Sequence, residues 1–169
     1  MCGLHTLYDN HTNKLFNLKI FLDTDINLKY YWKIKRDAEH RGYSVDQVLE
    51  KIKQREKDNE LYIEPQKNNS DIIIRFFTDD NFNYLNLDEN PNIYLKITSN
   101  KEIYKFIEAL NKFEISYSFL KEEFDIYSLV FYKISDFIPL LIHFSKNEIK
   151  ISKNDYYTLI TSFVLFFNQ

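Results

Sequence analysis

Lys33, Arg36, Asp37 and Arg41 fall inside one short stretch, "WKIKRDAEHRG", which runs from Trp32 to Gly42. Lysine and arginine together suit a phosphoryl group. Lys offers a compact point charge, and Arg a planar fork that binds two oxygens at once. Cations aimed at the oxygens of a group in transfer stabilise the charge that develops there. On a helix, Lys33 and Arg36 share a face at i,i+3, and Lys33 and Asp37 share one at i,i+4. Arg41 lies about 140° round the axis from Arg36, in a last turn that Gly42 can bend. The same spacing also fits a solvated helix face. Its pairs would then be Lys33 with Asp37, and Arg36 with Glu39 or His40, each worth about 0.5 kcal/mol or less. Spacing alone supports both readings.

The elements that must carry these side chains are legible around them. "NLKIFLD" (Asn17 to Asp23) is a short apolar run that reads as a buried strand. Asp25 or Asn27 then caps a helix to Arg41, with Leu28, Tyr31, Trp32 and Ile34 as its apolar face. Gly42 occupies the left-handed position after the helix, and His40 and Arg41 fill the last turn. Ser44 and Gln47 have capping-box spacing for a second helix through "SVDQVLEKIKQREKDNE", so a helical hairpin is expected over about 27–59. "LYIEPQKNNS" reads as a loop, and "DIIIRFF" (Asp71 to Phe77) as the clearest strand.

The polar stretch 79–91 reads as a connector between a first segment, 1–78, and a second, 92–169. In the second, "NIYLKIT" alternates as a strand, and Ser99 and Glu102 have capping-box spacing for a helix in "SNKEIYKFIEALNKF". "ISYSFL" and "DIYSLVFYKI" read as a strand pair, and "NDYYTLITSFVLFF" as a terminal helix or strand. The aromatics here have core spacing. His143 reads as a core histidine, and the adjacent Glu122 and Glu123 as solvated. The class is α/β.

Composition removes several functions. A net charge of -3 and a pI near 5.8 argue against nucleic acid as a partner. The single cysteine, Cys2, excludes an intrachain disulfide, and the four histidines make no metal-ligand pattern. The apolar run "LITSFVLFF" is about half of what a membrane span needs. No secretory pattern opens the sequence, so a cytoplasmic protein without membrane partners is expected. With only Gly3 and Gly42, the chain holds neither a phosphate-binding P-loop nor a dinucleotide glycine motif.

The order of motifs adds a resemblance. "GLHTLYD", "NLKIFLD", "WKIKRDAEHRG", "SVDQVLEKI" and "YIEPQKNNSDIII" resemble, in family order from about Gly3 to Phe77, part of the phosphoribulokinase/uridine kinase family. "GLH", the Trp-Lys pair and "PQK" lean toward its phosphoribulokinase side. The resemblance implies the C-terminal part of a doubly wound P-loop kinase sheet with a helical lid hairpin, followed by a small α+β extension. It implies an ATP-dependent kinase that phosphorylates ribulose 5-phosphate with magnesium.

By that resemblance Lys33, Arg36 and Asp37 are the catalytic candidates. Arg41 and His5 fall on the substrate side, and Gln66 and Lys67 near the nucleotide. The implied partners are a sugar phosphate and ATP, with a separate N-terminal half or a second copy of the chain. The family's P-loop and general base belong upstream of Gly3, and Cys2 stands where the family has a glutamate that ligates magnesium. ATP and magnesium are therefore expected in a complete enzyme and not on this chain alone. The alternatives are a uridine kinase-like protein and a non-catalytic binding or oligomerisation module.

Overall fold

The computed structural model describes residues 3–122, 125–133, 136–145 and 155–167; Cys2 and Glu123 lie outside them. The chain forms two compact units, Met1–Ile93 and Tyr94–Gln169.

The first unit is built on a parallel pair, β1 (Ile20–Thr24) and β2 (Ile72–Phe77), with Ile20 opposite Ile72 and Thr24 opposite Phe76. Parallel strands require a long crossover, and here it contains the whole hairpin. A single helical turn, α1 (Asn10–Asn13), precedes β1. Asp25 stops the strand and starts α2 (Ile26–Arg41): its side chain accepts from the Leu28 and Thr78 amides. One carboxylate thus caps the helix and ties it to the end of β2.

In α2 the buried residues are Leu28, Tyr31, Ile34 and Asp37, a row of i,i+3 steps. Trp32, expected on the apolar face, is 40% exposed and meets Phe76 edge-on. Ideal geometry gives the reason: Trp32 lies well round the axis from the centre of that row. Gly42 adopts φ 68°, and the capping box of Ser44 and Gln47 forms with both hydrogen bonds as α3 (Val45–Gln54) begins.

Beyond α3 the structure departs from the sequence expectation. The second helix ends at Gln54 and not near Glu60, and "LYIEPQKNNS" is no open loop. The path continues through α4 (Glu56–Asp58), a wide π turn at Asn59–Ile63 and a 3₁₀ turn at Glu64–Asn69. Pro65 sits in the first turn of that last piece, where its missing N–H costs nothing. Phe82, in the polar stretch after β2, is buried edge-on against Tyr31.

The second unit holds three antiparallel strands. β5 (Ile126–Phe131) pairs on one side with β3 (Tyr94–Ser99) and on the other with β4 (Ser118–Glu122). The helix α5 (Tyr104–Lys112) starts without the expected capping box. Ser99 is still the last residue of β3, paired with Tyr127, and its hydroxyl bonds the backbone of Lys101. Among the described residues of this unit two more helices follow, α6 (Ile138–Phe144) and α7 (Tyr156–Phe167).

The core of this unit is aromatic. Phe106 stacks on Phe144 and meets Phe163 edge-on at 4.7 Å. His143, expected in the core, is exposed, with its ring against Phe113 and Phe144. The buried positions of α6 are Leu140, Leu141 and Phe144, and His143 lies about 100° round the axis from their centre, at the edge of that face.

Candidate active site

A cleft of about 1130 Å³ opens in the first unit between the end of β1, the inner side of α2 and the irregular helical path after α3. Lys29 and Lys33 reach it from successive turns of α2, and Arg55 from the end of α3. His5 lines it from the opening segment. Residues far apart in sequence thus converge because the hairpin folds back over the β1 end.

Burial holds the Lys33 ammonium below its ordinary pKa, and the neighbouring Arg55 charge depresses it further. Neither Lys33 nor Arg55 makes an ion pair among the described residues. Lys29 donates to the Asn59 side chain at 3.1 Å. A partly desolvated lysine beside a second cation is poised to gain from an anion placed between them.

Two of the acidic groups that line the cleft, Asp23 and Glu64, are already engaged, and Glu56, Asp58 and Glu60 line it as well. Lys67 Nζ lies 3.1 Å from Asp23 and 2.6 Å from Glu64, over the ring of Phe21. Burial works against the Lys67 charge, but the hydrogen bonds it donates to Glu64 and Asp23 prevail and raise its pKa. Arg75 Nη1 approaches Asp23 at 3.8 Å from the paired position on β2. Glu64 is likewise buried enough to oppose its charge, yet Lys67 and Asn59 hold its carboxyl below the usual value.

Arg36, Asp37 and Arg41 form a second cluster, at the last turns of α2 and outside the lining of the cleft. Asp37 continues the buried row of the helix and is 2% exposed. It accepts a hydrogen bond from Arg36 Nε at 2.8 Å and forms an ion pair with Arg41 Nη1 at 3.3 Å. The pairs expected from spacing alone, Lys33 with Asp37 and Arg36 with Glu39 or His40, give way to this clasp. The Arg36 hydrogen bond leads the causes that lower the Asp37 pKa, against the opposing effect of burial. Both arginines are about half exposed, so each keeps N–H groups for a ligand.

Gln66, which the resemblance assigns to the nucleotide side, has its side chain engaged within the protein. Its Oε1 accepts from the Leu7 amide at 2.9 Å, and its Nε2 donates to the carbonyls of Leu4 and Tyr62. Both N–H donors are used inside the protein, which leaves none for a base. Lys67 is held by its two carboxylates.

Of the residues singled out from sequence, the cleft therefore gathers Lys33 and His5, with Lys67 at its edge. Arg36, Asp37 and Arg41 gather separately. Lys29, Arg55, Asp23 and Glu64 were missed. Lys29 carried a signal, one turn before Lys33 on the same face, whereas Arg55 was hidden in the charge run "KQREKDNE".

Comparison with known proteins places this arrangement. Residues 1–82 match the Phosphoribulokinase / Uridine kinase family. The chain is 41% identical over 73 residues to the chloroplastic phosphoribulokinase of Chlamydomonas reinhardtii, covering 43% of this chain and 20% of that protein. It is 40% identical over 73 residues to the phosphoribulokinase of Synechocystis sp., covering 22% of that protein. A uridine kinase of Streptococcus gordonii is 40% identical over 73 residues, with 35% of its length covered. The matches thus span about a fifth of the phosphoribulokinases and a third of the uridine kinase. The solved phosphoribulokinase from Rhodobacter spheroides shares the fold, with a TM-score of 0.58 and 23% identity over 77% of this chain and 48% of that one. The stretch that matches the phosphoribulokinase/uridine kinase family, residues 1–82, therefore carries both the cleft and the arginine clasp.

Proposed function

We propose that this chain supplies the hairpin-bearing part of an ATP-dependent phosphoribulokinase, which moves the γ-phosphoryl group of ATP to the 1-hydroxyl of ribulose 5-phosphate. The observation that carries this reading is the convergence of Lys33 and His5 on one cleft, within the segment shared with phosphoribulokinases. Lys33 is the charge that meets the phosphoryl oxygens in transfer, where a desolvated ammonium acts most strongly. Arg36 and Arg41, set in orientation by Asp37, bind phosphate oxygens through their free N–H groups. His5 contacts the sugar phosphate. The hairpin acts as a lid that excludes water.

The residues present do not fit ATP or magnesium by themselves. Among the described residues no group of three His, Cys, Asp or Glu is arranged to hold a metal ion. The two glycines, Gly3 and Gly42, cannot build a phosphate loop. In this reading a P-loop-bearing polypeptide supplies the sites for both.

The test mixes this chain with the P-loop half of a phosphoribulokinase and measures ATP-dependent phosphorylation. Activity on ribulose 5-phosphate is expected only with both parts present. Lys33→Met is expected to lower kcat by about 100-fold or more. A second reading, a uridine kinase, is favoured by the 40% identity to the Streptococcus gordonii enzyme. Preference for uridine in the same assay would establish that reading. Phosphorylation of neither acceptor would leave a non-catalytic module and sink both kinase readings.

A further inference from the structure

Gln66 lies outside the chemistry proposed above, yet its side chain is 3% exposed and bonded at both ends. Its three partners are the Leu7 amide at 2.9 Å, the Leu4 carbonyl at 2.9 Å and the Tyr62 carbonyl at 2.7 Å. The amide can face only one way, because a flip would set N–H against N–H and oxygen against two carbonyls.

Two of those partners bracket His5. Leu4 stands immediately before it, and Leu7 two residues after. Leu7 is pinned further: its carbonyl accepts from Asn13 Nδ2 and Asn69 Nδ2, and its side chain is buried. The backbone between is a tight turn, with the Tyr8 amide donating to the His5 carbonyl at 3.2 Å. His5 itself is exposed and lines the cleft. An exposed side chain on a turn is normally mobile, but this turn is anchored on both flanks to a buried amide 61 residues further along the chain.

The third partner closes the arrangement. The His5 ring meets Tyr8 edge-on at 6.4 Å, and Tyr8 meets Tyr62 edge-on at 5.6 Å. Tyr62 is the residue whose carbonyl Gln66 holds. One side chain therefore sets the backbone of His5 and the backbone of the residue against which its ring stack rests.

We propose that Gln66 is the positioning residue for His5, fixing the turn that presents the imidazole to the cleft. Its importance for turnover rests on the reading of His5 as a sugar-phosphate contact; its control of where His5 sits does not.

The experiment has two arms on the full chain. In the first, the His5 imidazole resonances are compared by NMR between the native chain and Gln66→Met, which keeps the shape and removes every hydrogen bond. The expected result is a folded variant whose His5 signals move to those of a solvent-averaged imidazole, while those of His143 stay in place. Unmoved His5 signals in a folded variant overturn the proposal. If Gln66→Met does not melt cooperatively, Gln66→Glu takes its place: it keeps the acceptor for Leu7 and, when ionised, loses both donors.

In the second arm the kinase mixture is used in a double-mutant cycle with His5→Gln. Gln66→Met is expected to raise KM for ribulose 5-phosphate by about tenfold with kcat within about twofold, and to add nothing once His5 is replaced. An unchanged KM, or an equal rise in both backgrounds, refutes the positioning role. If the unaltered mixture phosphorylates nothing, the kinase reading fails, and the first arm still tests Gln66.

Discussion

Asp37 shows how one position can look ordinary in sequence and decisive in space. It continues the row Leu28, Tyr31 and Ile34, so helix geometry drives a carboxylate into a buried site. A buried charge persists only when paired, and Arg36 and Arg41 provide the pairing. Asp37→Asn removes that charge and leaves two guanidinium groups facing each other. It should cost about 1–3 kcal/mol, read as a fall in Tm of several degrees. The pH dependence carries the same signature. The folded pKa of Asp37 lies below its ordinary 3.8, with the Arg36 hydrogen bond as the leading cause. Its contribution is therefore fully present above about pH 4 and lost as the pH falls through the folded value. The Tm difference between the native chain and Asp37→Asn should be constant from about pH 7 to about pH 5 and shrink below about pH 4. A difference that grows on acidification would exclude this account.

At the scale of elements, the hairpin depends on its joint. Gly42 takes the left-handed conformation, and the reciprocal bonds of Ser44 and Gln47 start α3 two residues later. These features were readable because caps are local: residues three apart meet wherever a helix begins. Ser44→Ala removes the side-chain acceptor for the Gln47 amide and is expected to cost about 1 kcal/mol. Urea unfolding, with the slope unchanged and the midpoint lowered, is the measurement; an unchanged midpoint would mean the cap is dispensable. The failure at Ser99 and Glu102 has the opposite lesson. The same spacing formed no cap because Ser99 is committed to pairing with Tyr127, and strand pairing is a tertiary fact.

For the molecule as a whole, two strands have open edges. Among the described residues β1 pairs only with β2, and β4 only with β5. On β4, Leu120 is 58% exposed and Phe119 41%, next to unpaired backbone. Such an edge is a template for another chain. The isolated chain is expected to self-associate, and a P-loop half is expected to suppress that association. Light scattering during size-exclusion chromatography reads both, and a monodisperse monomer with a single cooperative melt would contradict the expectation. No helix among the described residues is long and apolar enough to cross a membrane.

The sequence by itself determined α2, the start of α3, their caps and the apolar strands of the first unit, the absence of a phosphate loop and the order of motifs that resembles the family. All of these follow from local periodicity, local hydrogen bonds or residue type. Only the tertiary structure decided which side chains meet. It brought His5 to the cleft of Lys33, turned Arg36 and Arg41 onto Asp37, and gave Arg55 a place that no spacing foretold. It also converted Gln66 from a loop residue into the buried amide beneath His5. The physical reason is that a side chain's charge and hydrogen bonds are committed by its nearest neighbours in space. For residues on opposite ends of a crossover, those neighbours exist only once β1 and β2 have paired.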